Sequence, residues 1–409
     1  MSTSRAAEFV TRFGAALLAA SAPVPMVRHH LRELASTYGV HNDYLIVSGG
    51  IMAVDTDDGT AGHAVTDPTA YRLDQTQHLF DLYDTAAEGT LTPEDGLRRL
   101  DEISALPRTF GPALRLLGYW LVAVGLALRL QPDWRDLEIC ACLAVLLAVL
   151  IMLAERLRRL KSLAPPMIAF VVAVPAFLLA DPLPVLVPLL AVFIPGAMLT
   201  IGTLELSEGE IQTGSARMIA GVHQLVILAF GIVGAASLVG ATRGAIEPGP
   251  AGTPVGTWAP IVGVGLYAVG AGLAFCATRR SLPGLVVVVY SAWLGESLGD
   301  LVLGGYLSAA LGAAAAIVVA TLVHRRLAGP APLLTVLPVF RILAPGGLGL
   351  LGVTKIAVGG FNTAEVGVVL FTFVAVALGM VLGDAIASGR WIHLRSSRPK
   401  PDEPVSDPR

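Results

Sequence analysis

The sequence predicts an all-α polytopic membrane protein of about ten transmembrane helices. They are expected as two inverted five-helix repeats, with a small α+β soluble domain in front. Three observations predict this: an apolar composition, a succession of bilayer-length runs, and two interrupted runs at matching places. Of 409 residues, 54% are hydrophobic and 14% charged, and the mean hydropathy is +0.70. A soluble domain carries about 25% charged residues, so most of the chain is expected in lipid. The 44 glycines suit close helix approach there. The basic residues lie in short loops between apolar runs, which argues against a nucleic-acid partner. The histidines have no ligand spacing, and Cys140, Cys142 and Cys276 all fall in apolar runs as packing residues. No metal or cofactor is expected.

Residues 1–108 read as the soluble domain. Phe9, Phe13 and Leu17 form one helical stripe, broken by Ser21, Pro23 and Pro25. Val27, Leu31 and Leu34 form a second. His41 to Val54 reads as a strand, Asp55 to Gly59 as a turn with a return strand after it. The acids Asp55, Asp57 and Asp58 lack the other ligands of a calcium loop. Thr92-Pro93-Glu94-Asp95 is a helix start, followed by the stripe Leu97, Leu100 and Ile103. A signal-peptide reading of Phe13 to Ala22 is set aside, because Glu8 sits in the leader and cleavage would invert the charge bias of the later loops.

Membrane spans are expected near 111–129, 136–155, 165–180, 184–204, 218–240, 258–277, 282–299, 303–323, 332–353 and 364–388. Residues 109–242 make the first half and 243–389 the second. Loops placed inside contain Arg156, Arg158, Arg159 and Lys161, then Arg217, Arg279, Arg280, Arg325 and Arg326. Outside loops hold only Arg129, Arg135, Arg243 and Lys355. The positive-inside rule therefore puts both termini in the cytoplasm. The tail, 390–409, is polar and Pro-rich and is expected to be disordered.

Pro195-Gly196 and Gly202 recur 150 residues later as Pro345-Gly346 and Gly352. Leu228 to Gly234 likewise parallels Val376 to Gly383. Each Pro-Gly lies in the fourth run of a five-run half, and an odd number of spans inverts the second half. Inverted repeats with interrupted helices are a transporter signature, and the interruptions point to the substrate site.

IPGAMLTIGTLELSEGEIQTGSAR in the first half and LAPGGLGLLG in the second, behind a soluble domain of paired helices, resemble the bacterial threonine/serine exporter family. The resemblance extends over LLAASAPVPMVRHHLRELASTYGV and LYDTAAEGTLTPEDGLRRLDEI. Pro195, Gly196, Gly214 and Arg217 match its pattern, and Glu205 stands where an Asp is expected. The resemblance implies export of threonine or serine across the bacterial plasma membrane in exchange for protons. Related two-protein systems imply dicarboxylates as the alternative substrate. A homo-oligomer is compatible with either.

Substrate and proton-pathway candidates follow from the cost of charge in a bilayer. Glu205 is a candidate proton carrier, with Glu208 and Glu210 as weaker ones. Arg217 suits a substrate carboxylate or a partner for those acids, or a headgroup anchor. His223 is a lone intramembrane histidine beside Gln224. Glu296 and Asp300 lie one turn apart, beside Gly295 and Gly299. Arg341 needs a partner, for which Glu296 and Asp384 are candidates. No P-loop, nucleophile elbow or zinc spacing is present, so an enzyme is not expected. A membrane-embedded enzyme working through the three glutamates, and a partner-binding scaffold, are the competing classes.

Overall fold

The computed structural model describes residues 2–47, 49–56, 59, 61–66, 71–130, 133–157, 162–179, 182–241, 255–327, 329–343, 350, 352, 354 and 363–387. Pro345, Gly346, Lys355, Asp57, Asp58, Arg158, Arg159, Lys161, Arg243 and the tail from 390 lie outside the described residues.

The N-terminal region combines four helices with a three-stranded antiparallel sheet: α1 (Ser2–Ala19), α2 (Val24–Tyr38), β1 (Asn42–Val47), β2 (Gly50–Asp55), β3 (Ala61–Val65), α3 (Leu73–Ala87) and α4 (Pro93–Ser104). The predicted stripes are the buried ones: Phe9, Phe13, Leu17, Leu31 and Leu34 have no exposed surface. Pro at the first turn of α2 and left-handed Gly39 just past its end bound that helix. Thr92 caps α4 by accepting from the Asp95 N–H at 3.2 Å. The single strand expected over His41–Val54 is two. The chain reverses between Val47 and Gly50, which pair across the turn. Gly50 also approaches the neighbouring strand so closely that a Cβ would stand 2.4 Å from the Ala64 carbonyl. The apolar run is continuous through this reversal, and only the glycines mark it.

The rest is helical: α5 (Pro112–Arg129), α6 (Trp134–Arg156), α7 (Ala164–Leu179), α8 (Pro182–Leu190), α9 (Gly196–Ser207), α10 (Ile211–Leu238), α11 (Ala259–Ala274), α12 (Leu282–Val302), α13 (Ser308–Leu327), α14 (Pro332–Ile342) and α15 (Thr363–Ile386). Six of these are long and apolar enough to cross a membrane: α5, α6, α10, α12, α13 and α15. Helices α7, α11 and α14 are apolar but shorter, and the run expected over 184–204 is the broken pair α8–α9. Many large side chains remain exposed on these helices, among them Phe230, Leu301 and Phe371, as lipid-facing surfaces require.

The helices pack in two sets. In the first set, α5 packs on α6, α6 on α7 and α8, α7 on α8, and α10 on α7. In the second, α11 packs on α12, α12 on α13 and α14, α13 on α14, and α15 on α13. Gly231 of α10 lets the Pro166 carbonyl of α7 come within 2.4 Å of where a Cβ would be. Gly379 and Gly383 of α15 do the same for Ala310 and Ala314 of α13. The sets meet where α5 crosses α11 and where α9 packs on α14 and α15. Gly118 and Gly125 of α5 interlock with Gly263 and Gly270 of α11, each backbone against the other. One hydrophobic core runs without interruption from Phe9 in α1 to Met380 in α15.

Candidate functional site

Helix α9 begins at a break. Leu190 ends α8, two tight turns follow, and Pro195 (φ −81°, ψ 43°) stands outside helical geometry at the start of α9. Gly196 is in contact with α14, where a Cβ would lie 2.8 Å from the Phe340 carbonyl oxygen and 3.9 Å from the Arg341 nitrogen. A side chain there would force the helices apart, so the glycine is what brings the break to Arg341.

Glu205 was expected just past a span, and it lies inside α9 with no exposed surface. Arg217 was expected at the start of a span, yet α10 begins six residues earlier, so the guanidinium is carried on an established helix. Gly202 and Gly214 let α9 and α10 touch backbone to backbone; a Cβ on Gly214 would lie 2.9 Å from the Gly202 carbonyl. That crossing sets Arg217 Nε 3.1 Å from Glu205 Oε2. The two are ion-paired without hydrogen-bond alignment, and Oε2 has no hydrogen bond. The second oxygen is taken by the N-terminal region. The Val24 N–H, at the start of α2, donates to Glu205 Oε1 at 3.0 Å. Arg217 Nη2 donates to the Ala22 carbonyl at 3.1 Å. Arg28 Nη2 lies 2.7 Å from Glu210 Oε1. A carboxylate at a helix N-terminus gains from both the free N–H and the helix dipole.

The second cluster lies across the helix sets. Arg129, the last residue of α5, pairs with Glu296 of α12. Arg341 therefore does not have Glu296 as its partner. It has no ion pair among the described residues, and its buried Nε has no hydrogen bond. Its guanidinium instead lies 4.6 Å from the centroid of the Phe275 ring, a cation–π contact. Nearby, the Tyr267 hydroxyl donates to the Pro338 carbonyl at 2.5 Å.

The structure brings Glu205, Gly214 and Arg217 together near the C-terminal end of α9, and leaves Pro195 and Gly196 at its N-terminal end, where Arg341 stands beside Gly196. It sets Glu296 apart with Arg129. Asp300, Glu208 and His223 are exposed, and Gln224 is half-buried. Asp384 is buried on α15 and has an interaction of its own. Sequence reasoning missed Thr200, fully buried on α9 with its hydroxyl unpartnered. It also missed Ala22, Val24 and Arg28, which reach Glu205, Arg217 and Glu210 from more than 180 residues away. Two backbone groups and a surface arginine leave no local pattern to read. Among the described residues, no group of histidine, cysteine or acidic side chains could hold a metal.

The family model described as "Putative threonine/serine exporter" (ThrE) matches residues 8–239. The chain belongs to this exporter family. The ThrE match runs from α1 to the end of α10, so it takes in the N-terminal region together with Glu205 and Arg217. Glu296, Arg341 and the second Pro-Gly lie beyond it. With its apolar helices, this member of the ThrE family is a multi-pass membrane protein. No curated protein and no solved structure matches the chain.

Proposed function

We propose that the protein is a secondary transporter that exports threonine and serine from the cytoplasm in exchange for protons. The observation that carries this reading is the contact of Gly196 with Phe340 and Arg341. A break in one helix set thereby abuts a half-buried cation in the other that has no ion pair among the described residues. Glu205 is the proton carrier in this scheme: a carboxylate held by Arg217 and by the Val24 N–H, releasable when either contact opens. Arg341 receives the substrate carboxylate, since a desolvated guanidinium without an anion is costly until one binds. Thr200 offers its free hydroxyl to a polar group of the substrate.

The packing scheme supports ten crossings as two five-helix repeats, with α8–α9 and α14 as the broken fourth members. Two of the contacts between the sets join helices of equivalent position, α5 with α11 and α9 with α14, and α9 packs on α15 as well. In this arrangement residues 1–108 and the tail lie in the cytoplasm of a bacterial cell, at its plasma membrane.

Efflux tests the proposal. Cells loaded with threonine- or serine-containing peptides and expressing the protein should release the amino acid faster than controls. Glu205→Gln, which keeps the shape and removes the charge, should abolish that gain while protein in the membrane fraction stays unchanged. Unchanged efflux over a panel of amino acids and dicarboxylates would sink the transport reading. Wild-type efflux from the Glu205→Gln variant would remove Glu205 from it.

A further inference from the structure

A cavity of ≈ 470 Å³ lies between α3 of the N-terminal region and the α11–α12 and α13–α14 connections. This volume is within the range of small-molecule sites, about 300–1,000 Å³. It is separate from Glu205, Arg217 and Arg341, none of which lines it.

Its two walls differ in chemistry. The wall from the N-terminal region presents acceptors. Asp84 has no ion pair or side-chain hydrogen bond among the described residues and lies within electrostatic reach of His324. Asp81 beside it is engaged by Gln77 at 2.8 Å and His78 at 3.7 Å. His30 is fully buried at this wall. Its Nδ1 is 2.7 Å from the Met26 carbonyl, which can only accept, so Nδ1 carries the proton. Nε2 is then a lone pair, and it has no partner. The opposite wall presents donors. Arg280 lines it with no ion pair among the described residues, and His324 stands beside it with Nδ1 3.2 Å from the Gly329 carbonyl. Thr278 and Ser281 complete this wall, bonded to each other at 2.6 Å.

We propose that this cavity binds a small zwitterion, its ammonium group toward Asp84 and its carboxylate toward Arg280. A dianion would meet the Asp81–Asp84 pair, and a diamine would meet Arg280; only a molecule with both poles satisfies both walls. The bound zwitterion touches the N-terminal region and the membrane helices at once, so it holds α2 and α3 in the position where Val24 contacts Glu205. By linkage, whatever strengthens that docking strengthens the binding. The site is additional to the transport site proposed above.

The test uses the full-length protein in detergent, with calorimetric titration of glycine, L-threonine, succinate and putrescine. Glycine and L-threonine should bind saturably, and succinate and putrescine should not. Asp84→Asn and Arg280→Gln should each weaken glycine binding at least tenfold at this site, lowering the stoichiometry seen in the same concentration range. The charge exchange Asp84→Arg with Arg280→Asp should recover part of it. Glycine binding that is absent from the wild type, or that keeps its affinity and stoichiometry in both single variants, overturns the inference. Binding retained in Glu205→Gln while efflux is lost keeps this site and the transport reading distinct. Binding retained in a wild-type protein that moves no substrate leaves this site standing and overturns the transport reading alone.

Discussion

Helices α9 and α14 treat charge in opposite ways. At the first, Glu205 is met by Arg217, by the Val24 N–H and, through Arg217, by the Ala22 carbonyl. At the second, Arg341 has an aromatic face and no anion among the described residues. Both groups sit in apolar surroundings where an uncompensated charge costs several kcal/mol. The first is compensated by Arg217 of its own helix set and, from outside it, by the N-terminal region. The second is left for something that arrives. The transport cycle proposed above uses this asymmetry: Glu205 as the site that holds its ion until disturbed, and Arg341 as the site whose ionic partner is the cargo.

The largest expected effect breaks the first site. Arg217→Ala leaves Glu205 buried without its cation and should destabilise the protein by about 3 kcal/mol. That is the low end of the usual range, because the Arg217 side chain keeps 17% of its surface exposed. Arg341→Met should do the reverse, leaving thermal stability unchanged or raised while efflux falls, because it removes a charge with no ion pair among the described residues. Thermal unfolding of the purified variants checks both. Equal destabilisation by the two substitutions would erase the contrast.

An effect of similar size follows acidification of the N-terminal region that seals the first site. Burial lowers the pKa of His30 to about 4, against an ordinary value of 6.5. Above pH 6.5 both folded and unfolded chains hold it neutral, and stability is flat with respect to this group. Between pH 6.5 and 4 the unfolded chain takes up a proton that the folded chain refuses. Stability therefore falls as the pH falls, by roughly 3 kcal/mol over that window, and levels off below it. His30→Phe, in a site already lined by Phe80 and Tyr83, should flatten the melting temperature over this range. An unchanged pH profile in that variant would assign the dependence to another group.

The smallest effect is at the rim. Arg28 and Glu210 keep 32% and 23% of their side-chain surface exposed, so solvent screens the pair. Arg28→Ala should cost less than about 1 kcal/mol and matter less still in high salt. A larger loss, insensitive to salt, would mean that α2 is held on the membrane helices chiefly by this pair and not by the buried contacts at Glu205.

The helical stripes of α1, α2 and α4, the Thr92 cap and the helical runs were legible in the sequence because each depends on neighbours within a few residues. So were Pro195 and Gly196, whose backbone constraints are properties of the residues themselves. The split of one apolar run into β1 and β2 was not, since the hydrophobic pattern continues through the turn and pairing register is a relation between strands. The partners of the charged residues were also out of reach. Glu296 was a reasonable mate for Arg341 by composition alone, yet Arg129, an apparent loop residue, reaches it first.

By itself, then, the sequence determined that this chain is a helical membrane protein with a small mixed α and β region in front and with one apolar run interrupted at Pro195-Gly196. Burial, periodicity and proline chemistry act locally and leave their mark residue by residue. Only the tertiary structure decided that Glu205 accepts from the Val24 N–H at the start of α2, that Gly196 reaches Arg341, and that Asp84 and Arg280 face one cavity. Those contacts join residues that are distant in the chain, and their energy depends on distances of a few ångströms that close helix crossings fix and composition does not.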